Sequence, residues 1–147
     1  MRKAVHYMQG MVTGVMNILT GTEYEEIKQL FIMSFTRNTS TCNEHYNYFW
    51  EQLIEYNRKS ERFCWDYLSS KNNIYIMWDT LDNFEFKNDK YWKYPRYSIV
   101  CATSKELYDK RDTFPEDIYI FDASLEWTII FTHEHLDKNK RYCLAIV

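Results

Sequence analysis

The sequence is poor in the two residues that most often redirect a polypeptide backbone. It has three glycines and two prolines in 147 residues, where average usage would give roughly 18 of the two together. All three glycines lie within residues 1–21, so residues 22–147 contain none. A Walker A loop, a dinucleotide-binding glycine turn, an EF-hand loop and a G-x-S-x-G nucleophile elbow all require glycine. The body of the chain can therefore form none of these sites.

The sequence also lacks paired cysteines, a signal-peptide core and a long apolar span. Its four cysteines are widely spaced and form no C-x-x-C motif: Cys42, Cys64, Cys101 and Cys143. No stretch approaches the roughly 18 apolar residues of a membrane helix. We therefore expect free, mostly buried thiols, a cytoplasmic location and no membrane association.

Aromatic residues are abundant and charge is nearly balanced. Phe, Trp and Tyr make up 18% of the chain, and 18 basic and 21 acidic residues leave a net charge of −3. A chain of this length buries about 70% of its unfolded surface, which suffices for one core. The acidic balance argues against binding of nucleic acid through bulk charge.

The N-terminal segment differs in composition from the rest of the chain. Residues 1–21 hold all the glycines together with Met1, Met8, Met11 and Met16. We interpret residues 1–15 as a loosely ordered extension, with Met16 as the natural start. Residues 16–147 are then expected to form a single domain.

The first half of the domain predicts three helices. Thr22 and Glu25 have capping-box spacing ahead of an i, i+3, i+4 apolar pattern. The same spacing of Thr and Glu begins a second apolar stripe over residues 41–57. A third helix is expected over residues 60–68, with Cys64 among its inward positions.

The second half switches to the period-two pattern of strands. The predicted strands are Asn73–Trp78, Tyr97–Ala102, Asp117–Asp122, Glu126–His133 and Arg141–Val147. Residues 122–125 fit a hairpin connection, and the fourth strand is apolar on both sides, as expected of a central strand. The sequence therefore predicts an α+β fold, with N-terminal helices packed on a mainly antiparallel C-terminal sheet.

The densest polar cluster is Thr132–His135, at the end of the predicted central strand. In an extended chain His133 and His135 share one face and are candidate metal ligands. Alternatively His133 or Glu134 acts as a general base, with Asp122 as a neighbouring carboxylate. The competing interpretation makes His133 a hydrogen-bonded residue at the edge of the core. It also makes Glu134 a solvated strand end.

A second candidate site is the basic and aromatic stretch 87–96. Tyr91, Trp92, Tyr94 and Arg96 are residue types that dominate protein interfaces. The same combination suits single-stranded nucleic acid, but the acidic protein favours a protein partner. The acidic residues Glu116 and Asp117 precede a strand, and we interpret them as part of a solvated turn.

The segment Asp117–Glu134, DIYIFDASLEWTIIFTHE, resembles a small bacterial domain family of unknown function. Its members follow the pattern D-[IL]-Y-[IV]-x-D-x-[FL]-x-W-T-x-[IV]-x-T-H-E. Residues Phe63–Ser69 match the helical Leu-Trp element of that family, with Cys64 where Leu is common. The tail departs from the family, because Arg141–Leu144 replaces a Gly-Pro-Tyr-Phe-like sequence. The resemblance implies a bacterial or phage source and a fold, and it transfers no catalytic role.

Together these features favour a protein-binding module of an immunity-like or regulatory kind. We expect no cofactor, and the sequence leaves homodimerisation open. The alternative is a small hydrolase or metal-dependent enzyme that uses His133, Glu134 and His135 at the end of the central strand.

Overall fold

One antiparallel sheet organises the chain. The computed structural model describes residues 16–37, 49–80, 93–137 and 140–147, and within them seven strands are joined in the order β1-β4-β3-β5-β6-β7-β2. The strands are β1 (Asn17–Leu19), β2 (Asn57–Lys59), β3 (Asn73–Met77), β4 (Ile99–Thr103), β5 (Ile118–Phe121), β6 (Thr128–Asp137) and β7 (Lys140–Ile146). The two three-residue strands, β1 and β2, form the edges, and short edges limit unwanted pairing with other chains.

Helices cover both faces of this sheet. In the described residues they are α1 (Gly21–Phe35), α2 (Glu61–Ser69) and α3 (Ser104–Asp109), with 3-10 turns at Phe49–Gln52 and Arg111–Thr113. Gly21 has a φ of 60°, a value that glycine adopts without strain. This glycine thus allows the sharp change of direction from β1 into α1.

The sheet separates two apolar cores because successive side chains of a strand point to opposite faces. On one face, α1 buries Phe31 against Tyr119 and Phe121 of β5, with ring centroids 5.4 and 5.0 Å apart. On the other face, Cys64 and Leu68 of α2 join the core formed by the alternate strand residues. Strand β5 is consequently buried along its whole length.

The α+β class and the mainly antiparallel sheet are confirmed. Each of the five predicted strands corresponds to an observed strand, and the predicted and observed first residues differ by at most two positions. The expected division into N-terminal helices and a C-terminal sheet is only partly correct. Strands β1 and β2 come from the N-terminal half, and α3 lies between β4 and β5. Three-residue strands are too short to display a period, which is why the sequence pattern missed both.

Two of the three predicted helices are observed, and the second one differs from the prediction in the residues that the structure describes. The helix predicted with Thr22 as its N-cap exists, but it begins at Gly21 and Thr20 occupies the N-cap, two residues earlier than predicted. The helix predicted over 60–68 is confirmed as α2, with Ser60 as its N-cap. The continuous helix predicted to reach Asn57 is wrong, because residues 49–52 form a 3-10 turn and Asn57 begins β2. Residues 41–48 and the predicted extension 1–15 lie outside the described residues.

The β5–β6 hairpin is confirmed and determines which residues meet at its open end. Asp122 closes the turn, since its carbonyl accepts from the Leu125 N–H at 3.1 Å and its Oδ1 accepts from the Ser124 N–H at 2.9 Å. The pairing sets Ile118 opposite Phe131. Asp117, one residue before Ile118, therefore lies beside the segment that follows Phe131.

Candidate functional site

Asp117 and His133 form a close pair at the open end of the hairpin. The Asp117 carboxylate accepts from the His133 backbone N–H at 2.7 Å, and the imidazole Nδ1 lies 2.8 Å from Oδ2. Because an ionised carboxylate only accepts, Nδ1 carries the proton in this contact. The imidazole is thus held in one orientation and one tautomer, with Nε2 outside the contact.

The two members of this pair differ in exposure. The Asp117 side chain is 8% exposed and the His133 side chain is 40% exposed. A nearly buried carboxylate bound to a partly exposed imidazole is the arrangement that general acid–base sites use to orient histidine. The same contact also joins the start of β5 to β6, as expected if the pair has a purely structural role.

An irregularity in β6 places His133 where Asp117 can reach it. The pairing with β7 shifts between Phe131 and His135, so β6 uses residues 132–134 where β7 uses Tyr142 alone. Arg141 of β7 supports this bulge, because its Nε donates to the Thr132 carbonyl at 2.8 Å and its Nη2 donates to the Glu116 carbonyl. Bulges commonly re-aim a side chain next to functional sites.

The other predicted site residues do not join this pair in the described part of the structure. Asp122 lies beyond the far end of β5, roughly 17 Å from Asp117 at 3.4 Å per residue, so it does not neighbour His133. Glu134 is exposed, and its N–H donates to the Thr132 Oγ1 at 3.3 Å. The side chain of His135 lies outside the described part. Within the described residues, no three His, Cys, Asp or Glu side chains are grouped so as to hold a metal ion.

The predicted binding loop is used internally where it is described. Tyr94 stacks on Phe114 with centroids 4.7 Å apart, and its Oη shares a hydrogen bond with Thr113. Arg96 donates from Nη2 to the Thr80 carbonyl at 3.4 Å and lies over the Tyr97 ring. Tyr91 and Trp92 lie outside the described residues.

A concave surface lies instead between α2 and α3. The groove has a volume of about 590 Å³ and is lined by Arg62, Trp65, Asp66, Leu68, Ser69, Ser104, Lys105 and Tyr108. Trp65 meets Tyr108 edge to face with centroids 5.1 Å apart, while its ring also stacks on Phe131 at 4.9 Å. Trp65 is consequently a rigid wall of the groove.

Two helical ion pairs border the groove. Lys105 Nζ lies 2.7 Å from Asp109 Oδ2, and Arg62 Nε lies 4.0 Å from Asp66 Oδ2. The Asp109 carboxylate raises the pKa of Lys105. Because exposed pairs of this kind contribute little to stability, all four charged groups can exchange their partners for those of a ligand.

A separate polar contact lies on the α1 face of the sheet. The Tyr119 hydroxyl donates to Asp79 Oδ2 at 2.6 Å and accepts from the Trp50 N–H at 3.0 Å. Both Tyr119 and Asp79 are buried. Burial, and then the charge of Asp79, raise the pKa of Tyr119 well above its usual value.

No family model, curated protein or solved structure matches the chain. The resemblance of Asp117–Glu134 to the bacterial family accordingly stays a prediction. Among the described residues, no helix combines the length and apolar character needed to cross a bilayer.

Sequence reasoning missed both the partner of His133 and the groove. The register of the predicted hairpin could have indicated the partner of His133. If residues 118 and 131 pair, Asp117 lies beside the residues that follow Phe131. The groove gave no such signal, since α3 has only six residues and its packing against α2 is not encoded locally.

Proposed function

We propose that this chain is a protein-binding module that docks its partner in the groove between α2 and α3. The main support for this proposal is the Trp65–Tyr108 pair, which presents aromatic surface in a groove of about 590 Å³. Interfaces concentrate their binding energy in Trp, Tyr and Arg residues that fill or line such depressions.

Exposure of the surrounding side chains supports this proposal. Tyr108 is 47% exposed, and Phe63 on α2 is 37% exposed. Phe63 stacks with Tyr67 along α2, so the aromatic surface continues beyond the groove. The partner that fits is a protein segment with an apolar anchor side chain, flanked by charges that engage Arg62 and Lys105.

Site-specific photocrosslinking in the cells that make the protein tests this proposal. A photoreactive amino acid at Tyr108 should give one dominant adduct of defined mass. The matched control carries the same group at Met33, which is 59% exposed but belongs to α1 on the opposite face of the sheet. Adducts of equal yield from both positions, or no adduct from Tyr108, would overturn the assignment.

Charge reversal provides the second arm of the same experiment. Lys105→Glu at the groove should reduce the Tyr108 adduct at least tenfold, because the substitution places like charge beside Asp109 and reverses the charge offered to the partner. Lys93→Glu makes the same change at an exposed position outside the groove lining and should leave the adduct unchanged. Equal losses in both variants would attribute binding to net charge instead of this groove.

The Asp117–His133 pair favours a second candidate function, general acid–base catalysis in a small hydrolase. The supporting observation is the fixed imidazole, bound at Nδ1 by a nearly buried carboxylate. Its test is a panel of ester, amide and phosphodiester substrates. His133→Gln should reduce any hydrolysis by about 10²–10⁴-fold, and Glu116→Gln, at an exposed neighbouring carboxylate, should not. Equal activity of wild type and His133→Gln would remove this candidate.

A further inference from the structure

Cys64 and Cys143 bring two thiols together across the α2–sheet interface. The two thiols lie within hydrogen-bonding contact of each other. Both residues have no exposed surface, and both belong to the core on the α2 face of the sheet. Cys101, the third described cysteine, lies in the core on the opposite face.

The chain connection explains why these two residues meet. Lys59, at the end of edge strand β2, pairs directly with Cys143 of β7. Helix α2 begins two residues later, and the Cys64 N–H donates to the Ser60 carbonyl at 3.1 Å in its first turn. The first turn of α2 is therefore held over the position on β7 that Cys143 occupies.

The surroundings distinguish the two sulfurs chemically. The hydrogen-bonding contact with Cys143 lowers the pKa of Cys64, and the charge of Lys59 acts in the same direction, against burial and the charge of Glu61. The pKa of Cys143 is raised, first by that contact and then by burial. Helix N-termini also stabilise a thiolate in the first turn. The position of Cys64 in the first turn of α2 thus favours it as the attacking thiolate, with Cys143 as the thiol that reacts next.

A small polar cavity is lined by neighbours of this pair, and neither cysteine is itself part of the lining. It has a volume of about 200 Å³, and its lining includes Glu61, Trp65, Phe131 and Arg141. Glu61 and Trp65 flank Cys64 on α2, while Phe131 is the cross-strand partner of Cys143. A water molecule occupies about 30 Å³ in the liquid, so the cavity is large enough for a small peroxide.

We propose that Cys64 and Cys143 form a modification site, at which hydrogen peroxide converts the paired thiols into a disulfide joining α2 to β7. The Cys64 thiolate attacks one peroxide oxygen, the O–O bond breaks, and hydroxide leaves as a sulfenic acid forms. The Cys143 sulfur then attacks the Cys64 sulfur, displacing the second oxygen as hydroxide while the S–S bond forms. The protons of the two thiols convert both hydroxides to water. Two thiols are oxidised and one peroxide is reduced by two electrons.

Peptide mapping of the oxidised full-length protein tests this proposal. Folded, reduced protein is treated with stepwise equivalents of hydrogen peroxide, alkylated under denaturing conditions and digested with trypsin. Cleavage at Lys and Arg releases each cysteine in its own peptide. The expected product links the peptide from Phe63 to the peptide from Tyr142, with a mass two hydrogens below their sum, and dithiothreitol separates them.

The controls make either result decisive. Cys64→Ala and Cys143→Ala should abolish the link, while Cys101→Ala should retain it, since burial raises the pKa of Cys101 to about 12 and that thiol stays protonated. A link in wild-type protein supports the proposal even if a variant fails to fold. Separately alkylated Cys64 and Cys143, at a peroxide dose that fully oxidises glutathione, would overturn it. A link that forms only in urea would overturn it equally.

Discussion

Asp117 binds His133 twice, through the backbone N–H at 2.7 Å and through the imidazole Nδ1 at 2.8 Å. One carboxylate thereby satisfies a backbone donor left by the β6 bulge and orients a ring that is 40% exposed. The two roles can be separated by mutation, because only the first is essential to the strand pairing.

Removing the Asp117 carboxylate should destabilise the fold more than removing the imidazole. Asp117→Ala leaves the His133 N–H without this acceptor, and we expect a loss of about 1.5–3 kcal/mol, the range for hydrogen bonds to charged groups. His133→Ala keeps the backbone bond and should cost about 1 kcal/mol. Urea denaturation at pH 7 measures both, and equal losses would contradict a backbone role for Asp117.

Trp127 should be the most sensitive aromatic position of the α2 face. It is 3% exposed, packs edge to face on Tyr67 at 5.5 Å and lies under Lys71 Nζ at 5.1 Å. Trp127→Ala should cost about 3–5 kcal/mol.

A conservative replacement tests whether packing explains that sensitivity. The indole Nε1 makes no hydrogen bond among the described residues, so Trp127→Phe should cost only about 1–2 kcal/mol, mostly lost volume. Thermal or urea unfolding of both variants gives the comparison. A Phe variant as unstable as the Ala variant would show that the indole N–H has a partner.

Alkaline pH should expose the role of the buried Tyr119 hydroxyl. Its folded-state pKa is raised by burial and by Asp79, so the native state keeps a proton that the unfolded state releases above about pH 10. Its contribution to stability is complete below pH 10 and declines above it, by about 1.4 kcal/mol per pH unit, until the folded pKa is reached.

Tyr119→Phe isolates this contribution from those of the other tyrosines. Below pH 10 we expect a loss of about 1–3 kcal/mol, since Asp79 and the Trp50 N–H both lose a hydrogen-bond partner. Between pH 10 and 11 the difference between wild type and variant should narrow. Urea titrations at pH 8, 10 and 11 measure it, and a constant difference would place the Tyr119 hydroxyl in contact with water.

The α3 cap should matter to both stability and the proposed groove. Thr103 Oγ1 accepts from the Glu106 N–H at 3.1 Å, and Glu106 Oε1 accepts from the Thr103 N–H at 2.9 Å, which completes a capping box. Thr103→Ala should cost about 1 kcal/mol and weaken crosslinking from Tyr108, because α3 forms one wall of the groove.

Thr20 offers the matched control, since it is the N-cap of α1 but its side chain makes no capping hydrogen bond. Thr20→Ala should change the free energy of unfolding by less than about 0.5 kcal/mol. Equal losses of unfolding free energy in Thr20→Ala and Thr103→Ala would show that the two hydrogen bonds of the α3 capping box do not stabilise the fold.

The long local patterns in this sequence predicted the central structure correctly. Apolar runs such as Ile118–Phe121 and Thr128–Phe131 are strands buried on both faces, and the residues of 122–125 form the hairpin turn expected of them. The capping box predicted at Thr22 was wrong because the same spacing of a hydroxyl and a carboxylate also occurs inside helices. The chain leaves β1 and turns at Gly21, and this turn makes Thr20 the N-cap. The box at Thr103 was overlooked because α3 is short and follows a strand without a break.

The candidate sites depended on contacts between distant segments. The sequence alone determined that residues 22–147 cannot form a glycine-based phosphate or metal loop, because such loops require backbone conformations that other residues rarely adopt. It also determined the five longer strands of the sheet, β3 to β7, since their apolar periodicity is local. Only the tertiary structure brought Asp117 to His133, Trp65 to Tyr108 and Cys64 to Cys143. Each of these pairs is separated by at least 16 residues, and strand register, a bulge and helix packing decide such meetings.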